Sequence, residues 1–511
     1  MRDHLVFYLN GQRRTAAGPE ALATLTDYLR ERRRLVGTKV VCAEGDCGAC
    51  SVLVGRPADD GSATLAYHTI DACIAFMYQL DRAHVVTIEG LAEDSRLSAV
   101  QDAMVKCHGS QCGFCTPGFV VTMHGLLEDP GRADHVTSAV SGNGRANGSP
   151  VQPLPQLTED KLRLGLSGNL CRCTGYQQIL DAGAAIDSAA VVTMNQRFPA
   201  RPVLDDFAAL GDEPVRIETE LRGVPRTVFL PQTLDQAAAF RAEFPGKQSA
   251  VASGTTDLGV QHTHGRHDPS AVLSLTSVSG LDRVAIEDGV LVTGATASWT
   301  RIERAVERVV PEYHAVLTRF GSPQIRNAGT IAGNLANASP IADSIPFHMV
   351  MDAELDLINP RGARVVKLND FYLGYKQLDL AEDELIAAVR TPLPTAGQHL
   401  KLYKVSKRRD MDISTFTAAV LLTLDDAGET ITAARLAFGG VAPVVLRLPE
   451  TESLLAGQPF TKDTMRAAGQ HARTEITPIS DVRGGADYRL QLAENILVKC
   501  YHDLRPEPVP A

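Results

Sequence analysis

The chain has 511 residues, too many for one hydrophobic core, so three or four domains are expected. An apolar content of 44% is ordinary for a folded chain, and a net charge of −10 argues against general nucleic-acid binding. No apolar run approaches the ~18 residues of a membrane span, and the start Met-Arg-Asp-His-Leu-Val-Phe-Tyr lacks a signal-peptide plan. The reading is therefore a cytoplasmic protein with neither membrane nor nucleic-acid contacts. In that compartment, cysteines at motif spacing mean metal or redox chemistry rather than disulfides.

Residues 4–8 alternate weakly and predict a strand; Asn10-Gly11 is a hairpin turn signal, and a strand resumes at Arg13. Thr24 to Arg34 has helical spacing, with Leu25, Tyr28 and Leu29 on one face. Its basic end, Arg30-Glu-Arg-Arg-Arg34, reads as a solvated helix terminus, with a docking patch for a partner the alternative. Then comes Cys42-x4-Cys47-x2-Cys50, with Cys73 following. That is the plant-type ferredoxin spacing for a [2Fe–2S] cluster, and zinc is the structural alternative. Gly45 and Gly48 permit the tight turns needed to wrap thiolates around a cluster. The element order suits a small β-grasp domain.

Residues 91–190 read as mostly helical, with periodic runs over Ser98 to Lys106 and Phe119 to Leu127. Cys112 and Cys115 lie in the connection between those runs, and Pro117 suits a helix start. Downstream, Cys171 and Cys173 are too close to share a helix face, so an irregular turn is expected. Two such loops facing each other could hold a buried cluster, with zinc the stronger rival on spacing alone. Cys107 and Cys500 read as inert thiols. Pro130 to Pro155, rich in Gly, Ser, Asn and Pro, reads as a flexible surface insertion. Gly142-Asn-Gly144 within it has no preceding strand and is no dinucleotide fingerprint.

Residues 187–222 have mixed composition and read as an inter-domain linker. Pro231-Gln-Thr-Leu-Asp-Gln-Ala is a turn and helix start, and Ala250 to Leu258 a strand entering a glycine turn. Gly321-Ser-Pro-Gln-Ile-Arg-Asn-Ala-Gly-Thr-Ile-Ala-Gly-Asn334 and Ala338 to Asp343 follow. Small residues, hydroxyls and glycines in both stretches would let backbone N–H groups approach a pyrophosphate. Ordinary tight turns are the alternative for either alone. Strand-like runs over Phe416 to Leu424 and Ile431 to Phe438, with helical runs over Thr461 to Thr474 and Asp487 to Tyr501, predict a small α+β domain.

Gly109-Ser-Gln-Cys-Gly-Phe-Cys-Thr-Pro-Gly118, Gly168-Asn-Leu-Cys-Arg-Cys-Thr-Gly-Tyr176 and Ser322-Pro-Gln-Ile-Arg-Asn327 carry a specific resemblance. The chain resembles, almost end to end, the small iron–sulfur/flavin subunits of the xanthine dehydrogenase type in the molybdenum hydroxylase family. The resemblance implies a multidomain α+β fold. It comprises a β-grasp 2Fe-2S ferredoxin domain at 1–90, a helical 2Fe-2S-binding domain at 91–190 and a linker at 191–222. An α+β FAD-binding domain of the PCMH type follows at 223–396, then a C-terminal domain like that of the CO dehydrogenase flavoprotein at 397–511. It also implies two clusters, one on Cys42, Cys47, Cys50 and Cys73 and one on Cys112, Cys115, Cys171 and Cys173.

FAD contacts are implied on Val251, Ala252, Ser253, Gly254, Thr255, Thr256, Asp257 and Leu258. Further contacts are implied on Phe320, on Thr330, Ile331, Ala332, Gly333 and Asn334, and on Asp343, Ala387 and Lys404. Ser406 to Ile413 is similar to the family's loop beside the isoalloxazine ring. By resemblance, a large partner subunit holding molybdopterin oxidises hypoxanthine or xanthine, within a heterotetramer of two small and two large subunits. Electrons pass through both clusters to FAD and on to NAD+. The runners-up are a subunit of another hydroxylase, acting on aldehydes, carbon monoxide or aromatic acyl-CoA, and an electron-transfer adaptor without NAD chemistry. No general acid or base is assigned.

Two departures stand out. The Cys115–Cys171 gap is long for the family, and the turn reads Gly254-Thr-Thr-Asp where many members have Gly-Asn-Thr-Glu.

Overall fold

The computed structural model describes residues 1–92, 96–128, 154, 156–266 and 268–505. The 130–155 stretch, apart from Leu154, lies outside the described residues. The chain falls into two units. The first comprises Met1–Gln232, Gln248–Ser277 and Ser322–Ala328; the second comprises Thr233–Lys247, Val278–Gly321 and Gly329–Ala511.

The first unit opens with β1 (His4–Leu9) and β2 (Gln12–Ala17), an antiparallel hairpin. Asn10 and Gly11 both take positive φ at the turn, +48° and +78°, as the Asn-Gly signal requires. Thr24 caps the next helix by accepting from the Asp27 N–H, and Leu25, Tyr28 and Leu29 turn inward. β3 (Ser51–Pro57), β4 (Leu65–Asp71) and β5 (His84–Val86) complete a sheet of order β2-β1-β5-β3-β4. β1 and β5 are parallel while the other pairs are antiparallel, the β-grasp arrangement.

Helices Ala99–Lys106, Thr116–Glu128, Glu159–Gly165 and Gln177–Ala184 build the second part of this unit. They share a core of Val100, Met104, Phe119, Met123, Leu162 and Ile179. Ser98 and Gln101 form a capping box at the first, and Pro117 stands in the first turn of the second.

The segment 191–222 is not a plain linker. It carries helices Met194–Arg197 and Ala200–Ala209 and then β6 (Val215–Leu221). Ala200, Val203 and Phe207 form one helical stripe, and with Met194 they join the same core. Mixed composition hid this stripe because the polar residues between its members face solvent. Asp206 on the same helix accepts from Tyr8 and Arg13, pinning the segment to the hairpin.

β7 (Val224–Leu230), β8 (Ser249–Ala252) and β9 (Ala271–Ser274) extend from β6 in the order β6-β7-β9-β8, with β7, β9 and β8 parallel. Helix Leu258–Thr263 follows β8, and the short helix Pro323–Ala328 packs on β4.

In the second unit β14 (Tyr372–Gly374) and β15 (Gln377–Leu378) pair by themselves, while β10 (Val284–Glu287), β11 (Val290–Gly294), β12 (Glu354–Asn359), β13 (Gly362–Lys367) and β16 (Leu385–Pro392) form an antiparallel sheet. Its order is β10-β11-β16-β12-β13. Trp299, Tyr313, Phe347 and Phe371 fill the core with it. A second antiparallel sheet follows, of β17 (Gln398–Val405), β18 (Phe416–Leu424), β19 (Ile431–Gly439) and β20 (Leu446–Arg447). Helices Lys462–Ala472 and Ala486–Leu504 pack with it, so the α+β expectation for this part holds. No helix among the described residues is long and apolar enough to cross a membrane.

Candidate functional site

The first cysteine set lies on the loop between the helix ending at Arg32 and β3, with Cys73 just past β4. Cys47, Cys50 and Cys73 are buried and Cys42 is half-buried. Gly45 and Gly48 have φ of +72° and +66°, the left-handed turns the wrapping demands. The N–H groups of Glu44 and Asp46 both donate to Cys42 Sγ at 3.4 Å. The Cys47 and Cys73 thiols, and then those amides, pull the Cys42 pKa below the usual thiol range. Asp71 is fully buried 3.7 Å from Cys50 Sγ, and burial pushes its carboxyl well up.

The second set also gathers. Cys112 and Cys115 precede helix Thr116–Glu128, and Cys171 and Cys173 stand on an irregular turn ahead of helix Gln177–Ala184. Cys173 Sγ is 3.6 Å from Cys112 Sγ and 3.8 Å from Cys171 Sγ. The expectation of a buried site is corrected here. Cys171 is buried and Cys115 half-buried, but Cys112 and Cys173 are exposed on this chain.

Burial opposes ionisation of Cys171. The Thr174 hydroxyl, 3.0 Å away, and the amides of Cys173 and Thr174 outweigh it and bring its pKa down to about 7. Burial pushes Cys115 up to about 12. No group of three or more His, Cys, Asp or Glu side chains is arranged around a single-ion centre among the described residues. The two quartets are instead strings of neighbouring thiols. An all-sulfur donor set with N–H and hydroxyl groups aimed at sulfur fits an iron–sulfur cluster. Of the cysteines outside the quartets, Cys500 is fully buried and burial pushes its pKa up to about 12, while Cys107 is half-buried.

The two cages touch. The Leu170 N–H donates to the Cys47 carbonyl at 3.0 Å, one residue before Cys171. A Cβ at Gly118 would come within 2.1 Å of Gly48 O, and one at Gly48 within 2.5 Å of Gly168 O. Glycine at 118 and 48 lets these backbones meet.

The implied flavin residues fall on both units. On the first, Val251 to Leu258 form the end of β8, a turn and the start of a helix. Thr255 has φ +55°, and its hydroxyl lies 3.0 Å from Ile74 O and 2.7 Å from Gln79 Oε1. That hydroxyl is committed to the ferredoxin-like part. Gln79 was not picked out from sequence; its side chain also donates to Ser253 O at 2.9 Å.

On the second unit, Thr330 caps helix Ile331–Asn337, and Ser344 donates to Asn334 Oδ1. Lys404 Nζ donates to Asp343 Oδ2 at 2.6 Å, Ser414 Oγ at 2.9 Å and Asp412 O at 3.0 Å. Asp412 lies in the loop singled out from sequence, whereas Ser414 lacked a sequence signal and is identifiable only through the ion pair it touches. Lys404 thus anchors the Ser406–Ile413 loop, which borders a cavity of about 500 Å3 lined also by Arg483 and Tyr488. Phe320 packs at 4.9 Å, ring to ring, on Trp299, and Ala387 lies within β16.

Residues 7–77 match the 2Fe-2S iron-sulfur cluster binding domain, and 87–184 the [2Fe-2S] binding domain. Residues 221–394 match the FAD binding domain in molybdopterin dehydrogenase, and 401–504 the CO dehydrogenase flavoprotein C-terminal domain. Xanthine dehydrogenase 2 of Arabidopsis thaliana is 29% identical over 97% of this chain and 39% of its own length. Xanthine dehydrogenase of Emericella nidulans is 29% identical over 98% of this chain and 39% of its own. The chain thus spans about two fifths of the length of the relatives it matches.

Among solved structures, the Cu,Mo-CO dehydrogenase in cyanide-inactivated form is similar at TM-score 0.50 and 27% identity, over 53% of this chain and 94% of that one. Quinoline 2-oxidoreductase from Pseudomonas putida 86 is similar at TM-score 0.50 and 26% identity, over 54% and 94%. Fold and matches together define an oxidoreductase module with two iron–sulfur domains and a flavin domain. Its four matched domains are those of an iron–sulfur/FAD electron-transfer module similar to parts of the molybdenum hydroxylases.

Proposed function

We propose that the chain is the small subunit of a cytoplasmic xanthine dehydrogenase. In this reading it passes electrons from a molybdopterin-holding partner through two [2Fe–2S] clusters to FAD and on to NAD+. The observation that carries it is the Leu170–Cys47 hydrogen bond, which joins the two cysteine loops within one unit. The likeness to xanthine dehydrogenases over nearly the whole chain supports the purine substrate.

Cys42, Cys47, Cys50 and Cys73 would hold one cluster, and Cys112, Cys115, Cys171 and Cys173 the other. Val251 to Leu258, Phe320, Thr330 to Asn334, Asp343, Ala387 and Lys404 are the proposed flavin contacts. Clusters supply one-electron carriers, and FAD a carrier that takes electrons singly and releases a pair as hydride. The chain's own residues do the rest. Amides of Glu44 and Asp46 and the Thr174 hydroxyl stabilise thiolate charge. Burial of Cys47, Cys50 and Cys73 keeps water from the first cage. Exposed Cys112 and Cys173, beside Phe114 at 49% exposure, form the face proposed for the large subunit, in a heterotetramer of two small and two large chains.

The solved-structure likeness to a CO dehydrogenase and a quinoline oxidoreductase favours a second reading, the same role in a hydroxylase of another substrate. Metal and flavin analysis, NADH reduction and xanthine turnover with the co-expressed partner test both. About four irons and one FAD per chain, with NADH bleaching the flavin, are expected. Stoichiometric zinc with negligible iron would sink the cluster assignment. A bleached flavin with no xanthine turnover would move the substrate to the second reading. Cys171→Ser should abolish purine oxidation while NADH still reduces the flavin; wild-type turnover with NAD+ would disprove the route.

A further inference from the structure

Gln324 is fully buried in the first unit, on the short helix Pro323–Ala328, and nothing above gives it a role. Its Nε2 stands 3.0 Å from Asn169 Oδ1, 3.2 Å from Ser51 Oγ and 3.4 Å from Thr122 Oγ1. Those partners lie two residues before Cys171, one after Cys50 and seven after Cys115. One amide therefore meets both arms of the second cage and the end of the first.

The orientation of that amide is fixed by a chain of necessity. Gly48 O can only accept, so the group facing it at 3.1 Å is Asn169 Nδ2. Asn169 Oδ1 then faces Gln324 and needs a donor, which makes the facing atom Nε2. Ser51 Oγ donates to the same Gly48 carbonyl at 2.8 Å. Gln324 Oε1 is left buried without a hydrogen-bond partner, a state that costs free energy. It also abuts Gly168 so closely that a Cβ there would lie 2.1 Å from it. A buried side chain that keeps one orphaned oxygen to deliver its N–H groups is held for what those groups do.

We infer that the Gln324 carboxamide is a positioning residue for the electron step between the two clusters. It holds Asn169 against Gly48, and so keeps Leu170 N–H in register on Cys47 O. The step moves one electron: the cluster on the second cysteine set loses it and the one on the first gains it. No bond to the protein changes and no proton is required. This inference rests on the proposed reading of both cysteine sets as clusters.

The test uses the full chain carrying both clusters, as Gln324→Met, Asn169→Ala and the pair together. Iron per chain, both midpoint potentials and the spin–spin splitting in the EPR spectrum of the reduced protein are measured. Iron is expected at the parent level in each variant. The splitting should shift or collapse in Gln324→Met and in Asn169→Ala, and the double variant should be no worse than the worse single. Splitting and potentials equal to the parent's, or single effects that simply add, overturn the inference. Iron lost from Gln324→Met but kept in Asn169→Ala also overturns it, in favour of a plain folding role. Gln324→Asn, which keeps the amide but withdraws it, should give an intermediate splitting; a splitting equal to the parent's counts against the register argument. A parent chain without iron fails the cluster reading itself, a separate result.

Discussion

The hydroxyl of Thr255 stands 3.0 Å from the carbonyl oxygen of Ile74, the residue after Cys73. Thr255 sits at φ +55°, where a β-branched residue is a genuine outlier. Such backbone strain costs about 1–3 kcal/mol and persists only where the surroundings over-determine it. Gln79 supplies that constraint, accepting from Thr255 at 2.7 Å and donating to Ser253 O at 2.9 Å. The turn proposed to face the dinucleotide is thereby fastened to the loop carrying Cys73.

Thr255→Val keeps the shape and the strain but removes the donor. It should destabilise the chain by about 1–3 kcal/mol, the cost of buried acceptors left unpaired, and lower its flavin content. Thr255→Ser keeps the hydroxyl and sheds the methyl that makes positive φ costly, so it should match or exceed the parent. Thermal unfolding and flavin-to-protein ratios distinguish the pair; a valine variant as stable as the serine variant contradicts the tether.

Acid should weaken the second unit through His348. Its ring is fully buried between the Tyr313 hydroxyl at 2.9 Å and Thr391 Oγ1 at 2.8 Å. Burial pulls its pKa down from 6.5 to about 3. Above pH 6.5 neither state binds the proton; below it the unfolded chain does and the folded chain does not. Stability is therefore lost as pH falls from about 6.5 toward 3, by up to ~1.4 kcal/mol per pH unit for this group. Burial of His84, lowered to about 4, adds a similar loss in the first unit. Denaturant midpoints between pH 8 and 5 should fall less steeply for His348→Gln, although its midpoint at pH 8 is lower. An unchanged slope would exclude His348 as the source.

Gly118→Ala should damage both cages from one site. The added Cβ would meet Gly48 O at 2.1 Å and Ala49 Cα at 3.1 Å, backbone that cannot swing aside. Overpacking of this kind costs about 1–3 kcal/mol, occasionally more. Iron should fall at both cluster signals in EPR; loss of the second signal alone would mean the loops separate without strain on the first.

Lys404→Met leaves the Asp343 carboxylate, at 8% exposure, without its cation. Breaking a buried pair by removing one partner costs about 3–5 kcal/mol, and the Ser406–Ile413 loop loses its anchor at Asp412 O. Flavin content should drop while both iron signals persist. Full flavin occupancy in this variant would remove Lys404 and Asp343 from the proposed contacts.

Local signals carried far in this chain. Asn10-Gly11 announced its hairpin, Thr24 its helix, and the glycines of the cysteine loop their positive φ, because each constraint acts within a few residues. The 191–222 segment was misread because three apolar residues on one helical face vanish in an average over composition. Thr255 is an FAD contact by resemblance, whereas its hydroxyl turns toward Gln79, a partner 176 residues away. Gln324 stood in a quoted motif yet had no assignable role, since its partner Ser51 is 273 residues distant. Contacts at that range leave no period or spacing to read.

The Gln324 hydrogen bonds also set a clock. During synthesis both cysteine loops emerge long before their clamp, since Asn169 precedes Gln324 by 155 residues. At ~5–20 residues per second, the second loop waits roughly 8–30 s for that side chain. Through that interval Asn169, Thr122 and Ser51 lack the amide that ties them together. The ribosome thus delivers the latch well after the two loops it ties together.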